Sequence, residues 1–242
     1  MNKVQYIYGI ADNALILGQR LGELCGHGPN LETDIAMTNI ALDLLGQTRS
    51  YYQYAAKQLG DDATEDTIAF LRPEREYKNV LLVEQPNTDF AYSIGRQFLF
   101  DVYHLLLLQQ LQFSQDETLA DIAKKSIKEV SYHQRFSSDW IKRLGDGTDE
   151  SKMRMQTAIN DLWTFTDELF HQTEADQAMV SQQIGVDVTT LKDNYYQKIN
   201  EILIEATLEI PEMKYFQKGG KHGIHTEHMG YLLADMQYMQ RT

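Results

Sequence analysis

"NLETDIAMTNIALDLLGQTRSYYQYAAKQLG", residues 30–60, decides the fold. It contains no proline, and Ile35, Thr38, Leu42, Leu45, Arg49 and Tyr52 recur at spacings of three and four along one narrow stripe. Asn30 precedes the run as an N-cap, where a side-chain oxygen accepts from an N–H of the first turn. The pattern predicts one helix over 31–59. A helix near 3–25 comes before it and stops at the turn Gly26–Pro29.

Working outward, residues 60–87 read as a broken region, and proline is then absent from Asn87 to Ile210. Helices are expected near 88–113, 117–144, 149–171 and 188–208. In the first of these, Ile94, Phe98, Leu105, Leu108 and Gln112 share a side. Asp116 caps the second and Gly145 stops it. A short terminal helix is expected from Thr226. Strand-like alternation is absent apart from "NVLLVEQ" (79–85), an ambiguous apolar run. Helices of this kind span about 37–45 Å at the usual rise. Pairs of them, joined by short turns and one long excursion, give an all-α, ferritin-like antiparallel bundle with additional helices. Nothing in the composition marks a boundary, so one domain over 1–242 is expected.

At 43% hydrophobic and 24% charged residues, the chain has the makeup of a folded protein. A net charge of −13 argues against nucleic acid as a partner, since phosphate binding needs clustered cations. Lys124, Lys125 and Lys128 read as a solvated helix face. Cys25 is the only cysteine, which excludes an internal disulfide, and reads as a small buried residue at a helix end. The apolar stretch "HLLLLQQL" (104–111) is far too short to span a bilayer. Asp12 interrupts the early apolar run, so no secretory pattern is read and a cytoplasmic location is expected.

Polar residues on core-facing stripes are the candidate chemistry. Asp43 lies beside the apolar stripe of the second helix. Asp101 and His104 sit inside "FLFDVYHLLLL", and Ile122, Ser126, Glu129, His133, Phe136, Trp140 and Leu144 form a continuous seam. Glu23 is a possible further member. A carboxylate-bridged di-iron site needs a Glu from each of two helices and a Glu-x-x-His pair from each of the other two. The fit here is partial. Gly46 follows Asp43 where an imidazole is required, and Tyr132 follows Glu129 in the same slot. His133 lies one residue, about 100°, further round the helix. Only Asp101-Val-Tyr-His104 keeps the spacing, with Asp for Glu. A buried hydrogen-bonded network and an irregular metal site built from Asp43, Asp101, His104, Glu129 and His133 both remain open readings.

The stretches "LGQRLGELCGHGPNLETDIAMTNIALDLLGQTRSYYQYAA" (17–56), "LRPEREYKNVLLVEQPNTDFAYSIGRQFLFD" (71–101), "KEVSYHQRFSSDWIKRLGDGT" (128–148) and "GGKHGIHTEHMGYLLADMQYMQR" (219–241) resemble one family across essentially the whole chain. It is that of the ferritin-like subunits of phenylacetyl-CoA epoxidases, within the bacterial multicomponent monooxygenases. The resemblance implies a division of labour. A sister A subunit holds the di-iron centre and the phenylacetyl-CoA. The C-type chain pairs with it, lacks a full ligand set and holds no cofactor. A small B subunit joins the pairs, and a reductase with flavin and an iron–sulfur cluster delivers electrons from NADPH. The resemblance carries no catalytic ligand onto Gly46 or Tyr132.

Near the C-terminus "GGKHGIHTEHMG" (219–230) gathers His222, His225, Glu227 and His228. The glycines read as a flexible turn, Thr226 as the cap of the last helix, and Glu227 as a first-turn acid facing the positive end of the dipole. The cluster is expected to be a structural or interface tail. Tyr51, Tyr52 and Tyr54 read either as core packing or as a docking row.

Overall fold

The structure is a computed structural model, which describes residues 1–60, 62–213 and 215–241. Among these residues the chain forms nine α-helices and no strand. They are α1 (Asn2–Gly22), α2 (Leu31–Leu59), α3 (Glu65–Phe70), α4 (Phe90–Leu111), α5 (Glu117–Gly145), α6 (Asp149–Trp163), α7 (Glu174–Ser181), α8 (Lys192–Glu205) and α9 (Glu227–Arg241). The long helices pair as α1 with α2 and α4 with α5, and the two pairs face each other. This is the all-α ferritin-like bundle, with α6 and α8 laid against α4 and α5. None of the described helices is long and apolar enough to cross a membrane.

Local chemistry sets the helix starts. Asn30 accepts from the Thr33 N–H at 2.9 Å, Asp89 from Tyr92 at 2.7 Å and Asp116 from Leu119 at 3.2 Å. Each fills one of the first-turn donors that a helix leaves unpaired. Eighteen of the 22 residues of α4 are buried, because it is covered on several sides. Its apolar run is a core helix.

The buried side of α2 differs from the expected stripe. Met37, Ile40, Ala41, Leu44, Thr48, Tyr51, Tyr52 and Ala55 face inward, while Ile35 and Leu42 are 50% and 60% exposed. The reason is the contact with α1. A Cβ at Gly18 would meet Ala41 O, Leu44 Cβ and Leu45 Cδ2, each at 3.4 Å, so Gly18 lets α1 seat against the Ala41–Leu45 turn of α2 at that crossing. Tyr51 and Tyr52 are therefore core residues, and Tyr54 donates to Asp116 at 2.6 Å.

Other differences are local. α1 ends at Gly22, and Cys25 in the following turn is exposed. The segment expected as one helix over 149–171 breaks at Trp163, and a 3-10 turn follows at Asp167–Phe170. The one expected at 188–208 begins as a 3-10 turn before α8. The short helices α3 and α7 were not expected from the pattern, although Thr64 and Thr173 each build a capping box. The apolar run 79–85 is neither strand nor helix. It is a buried irregular segment whose amides bond to side chains: Val80 N–H to Asn13 Oδ1 at 2.8 Å and Leu81 N–H to Glu168 Oε2 at 2.7 Å. A buried backbone outside regular structure needs such partners.

Candidate functional site: two buried polar networks

The bundle interior collects the residues that read as degraded ligands. His133, on α5, is fully buried and pairs through Nε2 with Asp43 Oδ2 of α2 at 3.0 Å. A carboxylate only accepts, so the proton sits on Nε2, and Nδ1 is left a bare lone pair without a partner. Glu129 accepts from Gln47 Nε2 at 2.9 Å. Asp101 accepts from Gln97 Nε2 at 2.6 Å and from the Ser137 hydroxyl at 2.8 Å. His104 packs against the Phe100 ring, and its Nδ1 also lacks a partner, as do Gln47 Oε1 and Gln97 Oε1.

Burial dominates the proton affinities here. It raises Asp101 well above the usual carboxylate range, against the pull of Ser137 and Gln97. It pushes His104 down to about 3, with the nearby His133 adding to the effect. His133 is also lowered by burial, which outweighs the hydrogen bond to Asp43. Burial thus favours the neutral forms of Asp101, His104 and His133. Gly46 is exposed and Tyr132 is 38% exposed, so the Glu-x-x-His registers of α2 and α5 end on the outside of the bundle. Glu23 lies at the end of α1 and accepts from Arg20 at 3.1 Å, apart from this set. Among the described residues, no three His, Cys, Asp or Glu side chains are grouped to hold a metal ion.

The second network pins the C-terminal segment. Glu84, fully buried, receives His225 Nδ1 on Oε2 at 2.8 Å, the Thr226 N–H on Oε1 at 2.6 Å and Asn79 Nδ2 on Oε2 at 2.9 Å. His225 Nε2 meets the Tyr77 carbonyl at 3.1 Å. Both ring nitrogens of His225 face acceptors, so it is held as an imidazolium against Glu84. Burial opposes that charge, but the Glu84 hydrogen bond and charge and the Tyr77 carbonyl together outweigh it, and the His225 pKa is raised. Glu168 repeats the device: Oε2 takes the Leu81 N–H and Oε1 takes the Gly219 N–H at 2.7 Å. Arg20 bonds the Glu84 carbonyl at 2.8 Å and the His228 carbonyl at 3.2 Å.

A third group holds the crossover to α1. Asp12 receives Arg72 at 2.6 and 3.1 Å, the Lys78 N–H at 2.7 Å and the Tyr52 hydroxyl. The Arg72 guanidinium also lies over the Tyr8 and Tyr77 rings, 4.3 and 4.2 Å from their centroids.

The whole chain, residues 1–242, matches the family described as "Phenylacetic acid catabolic protein". The chain belongs to that family. It is 50% identical over 236 residues to the C subunit of "1,2-phenylacetyl-CoA epoxidase" of Escherichia coli (strain K12), a match that covers 98% of this chain and 95% of that one. A far shorter match, 30% identical over 78 residues, reaches 31% of this chain and 23% of "Protein-arginine N-acetylglucosaminyltransferase NleB2" from Escherichia coli strains. So small a share carries no argument about fold or activity.

In this chain the tail that resembled a metal cluster is dispersed. His225 is buried on Glu84, His222 is exposed with Nε2 3.0 Å from His171 Nε2, and Glu227 is exposed in the first turn of α9. Thr226 does not cap α9. Its N–H goes to Glu84 and its hydroxyl has no partner. Nor are the glycines there only for flexibility. A Cβ on Gly220 would lie 2.1 Å from Asn79 O, and one on Gly223, at φ +76°, would lie 2.0 Å from Arg75 O. The residues that organise the region, Asp12, Glu84 and Glu168, passed unassigned in the sequence. For Asp12 and Glu84 the one signal is a lone acid within or beside an apolar run, as Glu84 is in "VLLVEQ"; Glu168, beside Asp167, carries none.

Proposed function

We propose that this chain is a non-catalytic, structural subunit of a multicomponent phenylacetyl-CoA 1,2-epoxidase, folded as one domain over 1–242 and acting in the cytoplasm. In this reading it pairs with a sister A subunit that holds the di-iron centre and the substrate. A small B subunit links the pairs, and a reductase with flavin and an iron–sulfur cluster supplies electrons from NADPH. Identity of 50% with the C subunit of such an epoxidase, along nearly its whole length, supports membership of such a complex. The observation that carries the non-catalytic role is the mutual pairing inside the bundle. Asp43 is engaged by His133, Glu129 by Gln47, and Asp101 by Gln97 and Ser137, so the carboxylates that would bridge two irons are bonded to protein. This donor set does not fit a di-iron centre, which needs four such carboxylates and two imidazoles converging.

The test is co-expression with the di-iron sister chain and metal analysis of each purified component. A stable hetero-oligomer is expected, with iron in the sister chain alone and no epoxidation by this chain by itself. Two irons bound per copy of this chain at full occupancy would overturn the reading. The bare Nδ1 atoms of His104 and His133 favour a second one, an oxidase with an irregular metal set. That reading requires metal-dependent turnover by the isolated chain, lost in His104→Ala and His133→Ala.

A further inference from the structure

His171 and His222 stand 51 positions apart in the sequence and meet outside the bundle. His171 follows the 3-10 turn Asp167–Phe170, and His222 ends a second such turn, Gly220–His222. Their Nε2 atoms lie 3.0 Å apart, with the rings edge to face at 63°. A direct hydrogen bond between them uses one N–H and one lone pair, so both nitrogens face the same small volume. That separation also suits two nitrogens on one metal. At about 2.0–2.1 Å from zinc, ligands set between a right angle and the tetrahedral angle lie about 2.9–3.4 Å apart.

The backbone places both rings. Glu168 organises the two turns: its carbonyl accepts the His171 N–H at 3.0 Å, and its carboxylate takes the Gly219 N–H at 2.7 Å. The His222 N–H closes its own turn on the Gly219 carbonyl at 2.8 Å. Lys221 ties the turns together, donating to the carbonyls of Leu169 at 3.2 Å and His171 at 2.7 Å. The two imidazoles are thus brought together by the fold before any ion arrives, which lowers the cost of ordering them.

The surrounding charges are mixed. Burial, then His222, Lys221 and Lys218, lower the His171 pKa, while Asp176 acts the other way. The ring therefore favours its neutral form, which has a lone pair to give. Against the two lysines stand two acids that line the same cleft as His222. Glu174 is exposed, and Asp176 has only Oδ2 occupied, by the Thr173 N–H and hydroxyl at 2.8 and 2.9 Å. Among the described residues no third His, Cys, Asp or Glu completes a cluster with the pair.

We propose that the Nε2 atoms of His171 and His222 together bind one divalent transition-metal ion of the zinc and nickel type, with water completing its shell. Imidazole selects such ions over magnesium and calcium, which prefer oxygen. With two protein ligands the site is weaker than a structural zinc site, which has four. Its effect is to cross-link the turn after residue 170 to the C-terminal segment at 219–222.

The test is calorimetric titration of the free full-length chain with Zn2+ at neutral pH, beside His171→Gln, His222→Gln and, for the bundle interior, His133→Gln. His171 is half-buried and His222 exposed, and Gln keeps a polar group at each, so both variants should fold as the wild type does. One equivalent of Zn2+ should bind the wild type and His133→Gln alike. Either surface variant should bind it at least about tenfold more weakly, the loss that even outer-shell partners of a metal produce. Zn2+ should raise the melting temperature of the wild type and leave those of the surface variants unchanged. Mg2+ at the same concentration should not compete. The proposal is overturned if the wild type shows no saturable Zn2+ binding, or if both surface variants bind as it does. Loss confined to His133→Gln would place the ion in the bundle and overturn it too. No sister chain or iron enters the measurement, so its failure leaves the structural-subunit reading untouched.

Discussion

The two polar networks of this molecule differ in how deeply they are buried and in how their carboxylates are filled. Around Glu84 and Glu168 all four carboxylate oxygens are filled, by side chains and by backbone N–H groups from segments far apart in the sequence. Asn79 Oδ1 and the Thr226 hydroxyl are the unpartnered atoms there, whereas in the bundle interior Gln47, Gln97, His104 and His133 each keep one, the two histidines among them. The first network closes chain onto chain, and removing its centre strands several groups at once. The second joins helices that apolar packing already holds, so its members contribute less to stability. Likeness to an active site and weight in the fold run in opposite directions here.

The largest expected effect is at Glu84. Glu84→Ala leaves the His225 imidazolium without its counter-charge and the Thr226 N–H without an acceptor, and should cost about 3–5 kcal/mol in denaturant unfolding. A loss below about 1 kcal/mol would erase the contrast between the networks. Gly220→Ala comes next. A methyl driven against Asn79 O must displace the segment 79–85, at about 1–3 kcal/mol, read from the same unfolding curves.

His104 sharpens the other side of the comparison. Its pKa is depressed to about 3 by burial, so the unfolded chain takes up a proton below about pH 6.5 that the folded chain refuses. Stability from this group is full above that pH and is lost progressively as pH falls towards 3. His104→Leu should therefore cost less than about 1 kcal/mol at neutral pH, or stabilise, because it removes an unpaired nitrogen from the core. It should also flatten the acid limb of stability against pH. A steep loss at neutral pH would mean that His104 has a partner of its own.

The smallest effect belongs to His225. Its pKa is raised in the fold, so its charge stabilises fully below the unfolded value near 6.5 and fades as pH rises through the folded one. His225→Gln keeps a donor for Glu84 but cannot titrate. Its stability should change less than the wild type's above about pH 6.5, as measured by thermal melts across pH.

Much of the architecture was legible in residue order. Asn30 and Asp116 cap the helices they were expected to cap, and the termini of α2 and α5 fall where turn residues place them. The face of α2 was not legible. Ile35 and Leu42 look inward by hydrophobicity, but Gly18 brings α1 against Ala41 and Leu44 and leaves them outside. The candidate site was legible as a set of residue types and misleading as a set of positions. His133, one step past the motif slot, is the imidazole that points inward, while Tyr132 in the slot does not.

The sequence by itself determined the local features: helical period, caps, breaks, an acidic surface charge, and the absence of regular Glu-x-x-His pairs in α2 and α5. Each depends on neighbours within a few residues, or on composition. Only the tertiary structure decided the role of "GGKHGIHTEHMG". Glu84 and His225 are 141 positions apart, and nothing local to either marks the other. A buried carboxylate must find its donors wherever the fold brings them. That is why a histidine-rich tail that resembled a metal site is, in the folded chain, the clasp that closes it.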